Sequence, residues 1–527
     1  MRDAAAILRP GHAERIADHP QQRSVRLDVD TTNGSIDCQL DHAASIWRRT
    51  GHHLVRQHHR SRLSRLVDLV RRGASRGEAI DRGFAQRAGT ERPILAAVSS
   101  ASSPLSTKQR MTRSMDTNIT SLQRSSAAMP ERTMRPILQL ALGTFAVGTE
   151  AFMIAPLLPD MSRDLGVGLG AVGQLVTIYT FAYAIGSPVL TVLTAAMDRR
   201  RMLFGAMLVF ALGNFVATLA GSFEALLASR VLLALAAGLF VPNANALAAT
   251  IVPPARRGRA LAIVNGGSTI AIALGVPIGA LLGHQLGWRT TFAAVGALAI
   301  VAAFAVRFGL PRDVGGPAQR SPDLGARLAL LGRASAVPTL LATMFWAMGA
   351  YSVYTYLAPI AAITADVPPS WVPALVLLWG ASAGLGLVIG GIGTDRLGTA
   401  AIIVPSLGIL SLVFVSLSAM AAWLPPATAL LPFIVAIAVW GISVWAFFPA
   451  QQSRLIGIAG AENAALMLSL NATFMFLGFS IGAALGGLTV EHVSVRANGA
   501  LGAACELLAL LLSWLALRRH VAAGSGR

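Results

Sequence analysis

Gly275-Val-Pro-Ile-Gly279-Ala-Leu-Leu-Gly283 and Gly478-Phe-Ser-Ile-Gly482-Ala-Ala-Leu-Gly486 agree at six of nine positions and stand 203 residues apart. Two further pairs repeat at nearly the same interval. Pro136 and Pro338 are 202 residues apart, and Asp198-Arg199 and Asp395-Arg396 are 197 apart. Three similar offsets, in order, mark an internal duplication. Both nonapeptides are apolar with glycine every four residues, a spacing that lets membrane helices approach backbone to backbone. Duplicated membrane bundles are the build of secondary transporters, which hold their solute between the repeats.

Composition outside the repeat agrees. Of 527 residues, 54% are hydrophobic and 13% charged, with a mean hydropathy of +0.60. A soluble domain carries about 25% charged residues, so a single soluble globule is excluded. The charge is uneven. Residues 1–134 hold 22 of the 43 Lys and Arg, 13 of the 25 Asp and Glu, and 7 of the 10 His. Residues 135–527 are long apolar runs. At roughly 33 residues per helix and loop, they hold about twelve spans. Hydropathy places these near 137–158, 170–193, 202–221, 225–249, 259–283, 290–310, 337–360, 371–393, 400–422, 427–449, 463–487 and 497–517.

The expected class is an all-α integral membrane protein, with twelve helices in two pseudo-symmetric six-helix bundles after a disordered tail. The expected divisions are the tail 1–134, a first bundle 135–310, a linker 311–336 and a second bundle 337–520. In the tail, His52, His53, His58 and His59 stand among arginines, but no Cys or carboxylate completes a metal set. Met111, Met115, Met129 and Met134 precede the first span, and a working protein that starts at one of them is the alternative to a tail. Two cysteines, Cys38 and Cys505, make no disulfide framework.

With a cytoplasmic N-terminus, the loops on that side carry 16 arginines and the opposite loops only Arg163, Arg289 and Arg496. This positive-inside bias puts both termini in the cytoplasm of a multi-pass protein of the plasma (inner) membrane. The net charge of +18 therefore reads as membrane anchoring, with the lipid bilayer as partner and no nucleic acid. Lys108 is the single lysine, so no GxxxxGK[ST] phosphate loop exists and this chain carries no P-loop ATPase.

Three motifs carry a resemblance. Gly391-Ile-Gly-Thr-Asp395-Arg396-Leu-Gly398 keeps much of the pattern G-x-x-x-D-R-x-G-R-[RK]; Thr194-Ala-Ala-Met-Asp198-Arg199-Arg200-Arg201 keeps its Asp-Arg and loses both glycines. Gly267, Gly275, Pro277, Gly279 and Gly283 resemble an exporter motif, with Val276 as one extra residue between glycine and proline. Glu150 in Gly148-Thr149-Glu150 and Arg230 at the head of Arg230-Val-Leu-Leu-Ala-Leu-Ala-Ala-Gly238 match signatures of the first and fourth spans. Residues 135–520 thus resemble the major facilitator superfamily, in its twelve-helix drug:proton antiporter branch, near bacterial sugar-efflux, purine-efflux and chloramphenicol-export proteins.

The resemblance implies a cytoplasmic gate at Asp198, Arg199, Asp395 and Arg396, and a packing motif at Gly275, Pro277, Gly279 and Gly283. Charge inside the spans is confined to Glu150, Arg230 and Glu506, and each such charge costs at least about 2.5–3.5 kcal/mol to insert. Glu150 and Arg230 are the proton-coupling candidates; Glu506, with no motif behind it, is expected to be structural. All five tyrosines lie in spans 2 and 7. Tyr179 with Tyr183, and Tyr351 with Tyr354, share helix faces and are the candidates to line a substrate cavity, with Asn243. Trp288, Trp371, Trp423 and Trp514 stand near span ends and read as interface anchors.

The expected function is secondary active transport: proton-coupled efflux of a small organic solute such as a drug, sugar or nucleoside. The expected partners are that solute and protons, the protein is expected to be a monomer, and no cofactor or metal is expected. The alternatives are a proton- or sodium-coupled importer on the same fold, or a membrane-embedded enzyme or sensor. No cluster of His, Asp and Glu on adjacent spans supports an enzyme.

Overall fold

The computed structural model describes residues 131–194, 196–253, 256–310, 329–333 and 335–525. The tail with its histidines and Cys38, and most of the linker 311–336, lie outside the described residues.

Among the described residues, twelve helices are long and apolar enough to cross a membrane. In hydrocarbon a backbone must satisfy its own N–H and C=O groups, and a helix does so within one segment. We label them α1 Glu131–Leu165, α2 Leu169–Leu193, α3 Arg199–Leu219 and α4 Phe223–Ile251. Next are α5 (Arg257–Ile270 and Val276–Leu286 about a π turn, Ala271–Gly275), α6 Trp288–Gly309 and α7 (Ala336–Tyr354 and Leu357–Ala365). The rest are α8 Val372–Leu397, α9 Ala400–Trp423, α10 Pro426–Ala459, α11 Ala464–His492 and α12 Asn498–Ser525.

The first six helices pack among themselves: α1 against α5 and α6, α3 against α6, and α4 against α2 and α3. The last six repeat the scheme, with α7 against α11 and α12, α8 against α10, and α9 against α10 and α12. Glycine sets the closest approaches. A Cβ on Gly386 of α8 would meet the backbone of Ile442 on α10, and one on Gly482 of α11 would meet the backbone of Met348 on α7.

Some prolines inside spans are repaired by neighbours. Pro242 cannot donate to the carbonyl of Gly238 one turn earlier. Ser187 Oγ of α2 donates to that carbonyl instead, at 2.7 Å. At Pro359 the helix breaks instead. Span 7, expected to run unbroken over 337–360, is interrupted at Thr355–Tyr356. Pro359 removes the donor for the Thr355 carbonyl, and the chain re-enters helix only at Leu357.

Trp288 departs from the expectation of a lipid-facing anchor. It is 3% exposed, and its indole donates to Asp164 Oδ2 at 3.1 Å. Asp164 also pairs with Arg289, so this tryptophan is held in a polar tie between α1 and α6. Trp371, Trp423 and Trp514 do lie exposed at span ends.

Candidate functional site

Glu150 sits midway along α1 and Arg230 two turns into α4. Both side chains are fully buried, and they form an ion pair. Arg230 also donates from Nε to the Leu175 carbonyl of α2 at 3.1 Å, and its guanidinium lies 4.2 Å from the centre of the Tyr179 ring. One arginine thus ties three helices. The Arg230 side chain is wholly buried. Pairing is the physical condition for keeping both charges inside.

The tyrosines extend outward from this pair. Tyr179 and Tyr183 are 6.5 Å apart between ring centres. Tyr183 stacks at 3.8 Å on Phe476 of α11, and Phe476 is 5.5 Å from Phe479. Phe479 stacks at 3.8 Å on Tyr351 of α7, which is 5.8 Å from Tyr354. Phe152 of α1 stands edge-on to Tyr351 and Tyr354, at 6.0 and 5.8 Å. The four tyrosines singled out by sequence therefore form one continuous aromatic cluster with residues of both halves. Proline chemistry ties it to α1: Pro156 leaves the Phe152 carbonyl without its helical donor, and Tyr354 OH donates to it at 3.1 Å.

Tryptophans complete the cluster. Trp379 of α8 is 4.6 Å from Tyr354 and 5.7 Å from Trp440 of α10. Trp346 of α7 lies 6.4 Å from Phe479. Sequence reasoning missed these three, together with Phe152, Phe476 and Phe479. The available signal was position: Trp346, Trp379 and Trp440 are mid-span, where an interface anchor has no reason to be.

Other candidates lie elsewhere. Asn243 is 13 residues past Arg230, about 20 Å along α4, and donates to the Leu239 carbonyl of its own helix at 2.8 Å. Asp198 caps α3, accepting from Arg201 N at 2.8 Å; the hydrogen bond it makes is to its own helix. Arg199 is half-buried at the same turn, and Asp395 and Arg396 are exposed in the last turn of α8. Gly275 faces Thr149, Gly279 faces Thr291 and Met153, and Gly283 faces Leu157. With buried Pro277, they place α5 against α1 and α6. Glu506 is fully buried on α12, with Oε1 against Gly349 of α7.

The halves meet along the ends of the helices remote from residues 134 and 518. There, Ser480 Oγ of α11 donates to the Thr177 carbonyl of α2 at 3.0 Å. Tyr356 donates to the Ala483 carbonyl at 3.2 Å, with its hydroxyl against Gly173 of α2. Gly380 of α8 lies on the backbone of Ile272 and Ala273, in the π turn of α5. A cavity of about 310 Å³, lined by Pro156, His284, Pro359 and Pro373 among others, opens at this same end.

This arrangement has known relatives. The model of the Major Facilitator Superfamily matches residues 140–452. The MFS-type transporter YbcL of Bacillus subtilis is 32% identical over 379 residues, 71% of this chain and 94% of the relative. The inner membrane transport protein YdhP of Escherichia coli K12 is 32% identical over 388 residues, 73% of this chain and 96% of the relative. A chloramphenicol resistance protein of Streptomyces lividans is 36% identical over 262 residues, 50% of this chain and 67% of the relative. Among solved structures, an inward-facing bacterial homolog of the human lysosomal transporter Spinster aligns with a TM-score of 0.61 at 19% identity, over 74% of this chain and 98% of its own.

Proposed function

The chain belongs to the major facilitator superfamily, and from that premise we propose that it exports a small organic solute in exchange for protons. Membership makes it a multi-pass membrane transporter. Proton coupling, direction and solute are our reading. The observation that carries the reading is the Glu150–Arg230 pair, fully buried where α1, α2 and α4 meet the aromatic cluster.

A carboxylate held this way has two stable states. Ionised, it is neutralised by Arg230. Protonated, it releases the guanidinium, which then has only the Leu175 carbonyl and the Tyr179 ring to hold it. The proton thus decides how firmly α1 is tied to α4. Phe152, half a turn from Glu150, supplies the carbonyl that Tyr354 of the second half grips. A change at Glu150 is therefore felt at a contact between the halves. The moving units are the bundles 135–310 and 337–520, joined by the linker 311–336. With both termini on the cytoplasmic side of the inner membrane, the end where the halves meet faces outward. Rocking of one bundle against the other exposes the cluster to either side. The chloramphenicol resistance relative favours export and an organic solute of drug size.

The test is solute accumulation in everted vesicles under an imposed proton gradient. The parent should accumulate solute against its gradient. Glu150→Gln, which fixes the neutral state, should bind solute but lose uphill accumulation. Uphill accumulation by Glu150→Gln equal to the parent's contradicts the reading, and flux in the opposite direction identifies an importer.

A further inference from the structure

Buried hydrogen-bond donors in a folded protein almost always have a partner, and a cluster of exceptions calls for an explanation. The aromatic cluster is such a place. Tyr179 OH and the indole N–H groups of Trp346, Trp379 and Trp440 are sealed from solvent without a hydrogen-bond partner. Trp440 meets Phe414 edge to face at 5.3 Å, a geometry in which a ring can receive an N–H. Trp346 has no such arrangement: its rings lie 27° and 29° from those of Phe448 and Phe447. Trp379 and Trp440 are edge to face at 64°, so at most one of their two N–H groups rests on the other's ring.

Most of the acceptors beside the cluster are already used. Glu150 Oε1 is paired with Arg230 while its Oε2 has no partner; the Phe152 carbonyl is taken by Tyr354 and the Ala483 carbonyl by Tyr356. What remains is a surplus of donors, Tyr179, Trp346 and Trp379, among stacked rings. The Arg230 guanidinium over Tyr179 is neutralised by Glu150, so the pair offers no net charge to draw a cationic guest. Tyr183 and Tyr351 keep 7% and 5% exposure, so the cluster is reached at its two stacked pairs. One of those pairs, Tyr183 on Phe476, joins the halves and is the pair a flat guest replaces most directly.

We propose that the transported solute is a flat, uncharged aromatic molecule rich in hydrogen-bond acceptors, which enters between Tyr183 and Phe476 and takes the donors of Tyr179, Trp346 and Trp379. A sugar or other polyol brings several hydroxyl donors, and of the acceptors named only Glu150 Oε2 is free to take one. An aromatic cation brings rings and no acceptor. This rests on the transport reading but not on proton coupling, because it concerns what the cluster binds.

The test is equilibrium binding to the purified full chain in detergent at one pH, with no gradient, read by calorimetry and by quenching of tryptophan fluorescence. The probes are 4-nitrobenzamide and 9-acridone, against tetraphenylphosphonium and L-arabinose. Both flat acceptors should bind more tightly than either comparator. Trp379→Phe and Trp346→Phe keep a ring and remove the N–H; each should weaken binding of 4-nitrobenzamide, whose nitro and amide groups offer three acceptor oxygens, about tenfold, the size of one hydrogen bond to a buried group. Tyr179→Phe should do the same, and carries the test if a tryptophan variant does not fold. Stronger binding of the cation or the sugar, no binding of either flat probe, or unchanged affinity in folded variants overturns the proposal. Nitrobenzamide binding that responds to the tryptophans while Glu150→Gln still accumulates solute uphill would overturn proton coupling at Glu150 and leave this inference standing.

Discussion

The two halves share a scaffold and differ in what it carries. In the first, α1 and α4 hold Glu150 and Arg230, and α1, α2 and α4 contain no tryptophan. In the second, the residue 203 positions on from Glu150 is Val353, fully buried. The described residues of α7, and α10 as far as Gln451, carry no charge. In their place stand Trp346 and Trp440, with Trp379 on α8. The glycine seams are kept in both halves: Gly283 on Leu157 of α1 corresponds to Gly486 on Tyr356 of α7. Packing is therefore the duplicated property, and chemistry is the divided one. On our reading the first half holds the proton and the second supplies most of the solute's contacts.

The sharpest way to break that comparison is to unbalance the charged half. Arg230→Met leaves Glu150 without its partner, and removing one member of a buried pair costs about 3–5 kcal/mol. We expect a large loss of thermal stability in detergent, mostly recovered in the double variant with Glu150→Gln. Equal losses in the single and double variants would mean the two charges are not coupled.

Moving the charge to the apolar half should cost nearly as much. Val353→Glu places a carboxylate where no arginine stands opposite, at about 2.5–3.5 kcal/mol on insertion scales. The amount of protein inserted, measured by protease protection of membranes, should fall well below that of Glu150→Gln. Normal insertion would show that the halves tolerate charge alike.

The smallest effect is expected at the loop shared by both halves. Asn caps a helix about as well as Asp, so Asp198→Asn should shift stability by less than about 0.5 kcal/mol. It should nonetheless slow transport per molecule severalfold, measured as initial flux divided by protein in the membrane. Unchanged flux would reduce Asp198 to its role as cap of α3.

Much of this was legible in the sequence, for physical reasons that also explain the gaps. Spans are legible because hydrocarbon demands long apolar helices. Their ends are less so: α10 runs on to Ala459 and α1 to Leu165, beyond the expected 449 and 158, because a helix continues into water where hydropathy reads a loop. The break in α7 needed the pairing of Pro359 with an unrepaired carbonyl. Glu150 and Arg230 stood out because charge in a membrane span is rare and costly, and the structure puts them in contact. The tyrosines stood out by their confinement to two helices. Trp346, Trp379, Phe476 and Phe479 did not, because an aromatic in an apolar run looks like ordinary packing until its neighbours across the halves are known. Asn243 was polar and mid-span, yet helical rotation and rise carry it about 20 Å from the pair.

The measurement that tests the division of labour most directly is solute-induced proton release from the purified protein in weak buffer. On our account the parent releases protons when 4-nitrobenzamide is added, and Glu150→Gln binds 4-nitrobenzamide and releases none. Trp379→Phe releases as many protons per bound solute as the parent, but at about tenfold higher solute concentration. Proton release from Glu150→Gln that matches the parent's would contradict the account, and would place the proton site outside the buried pair.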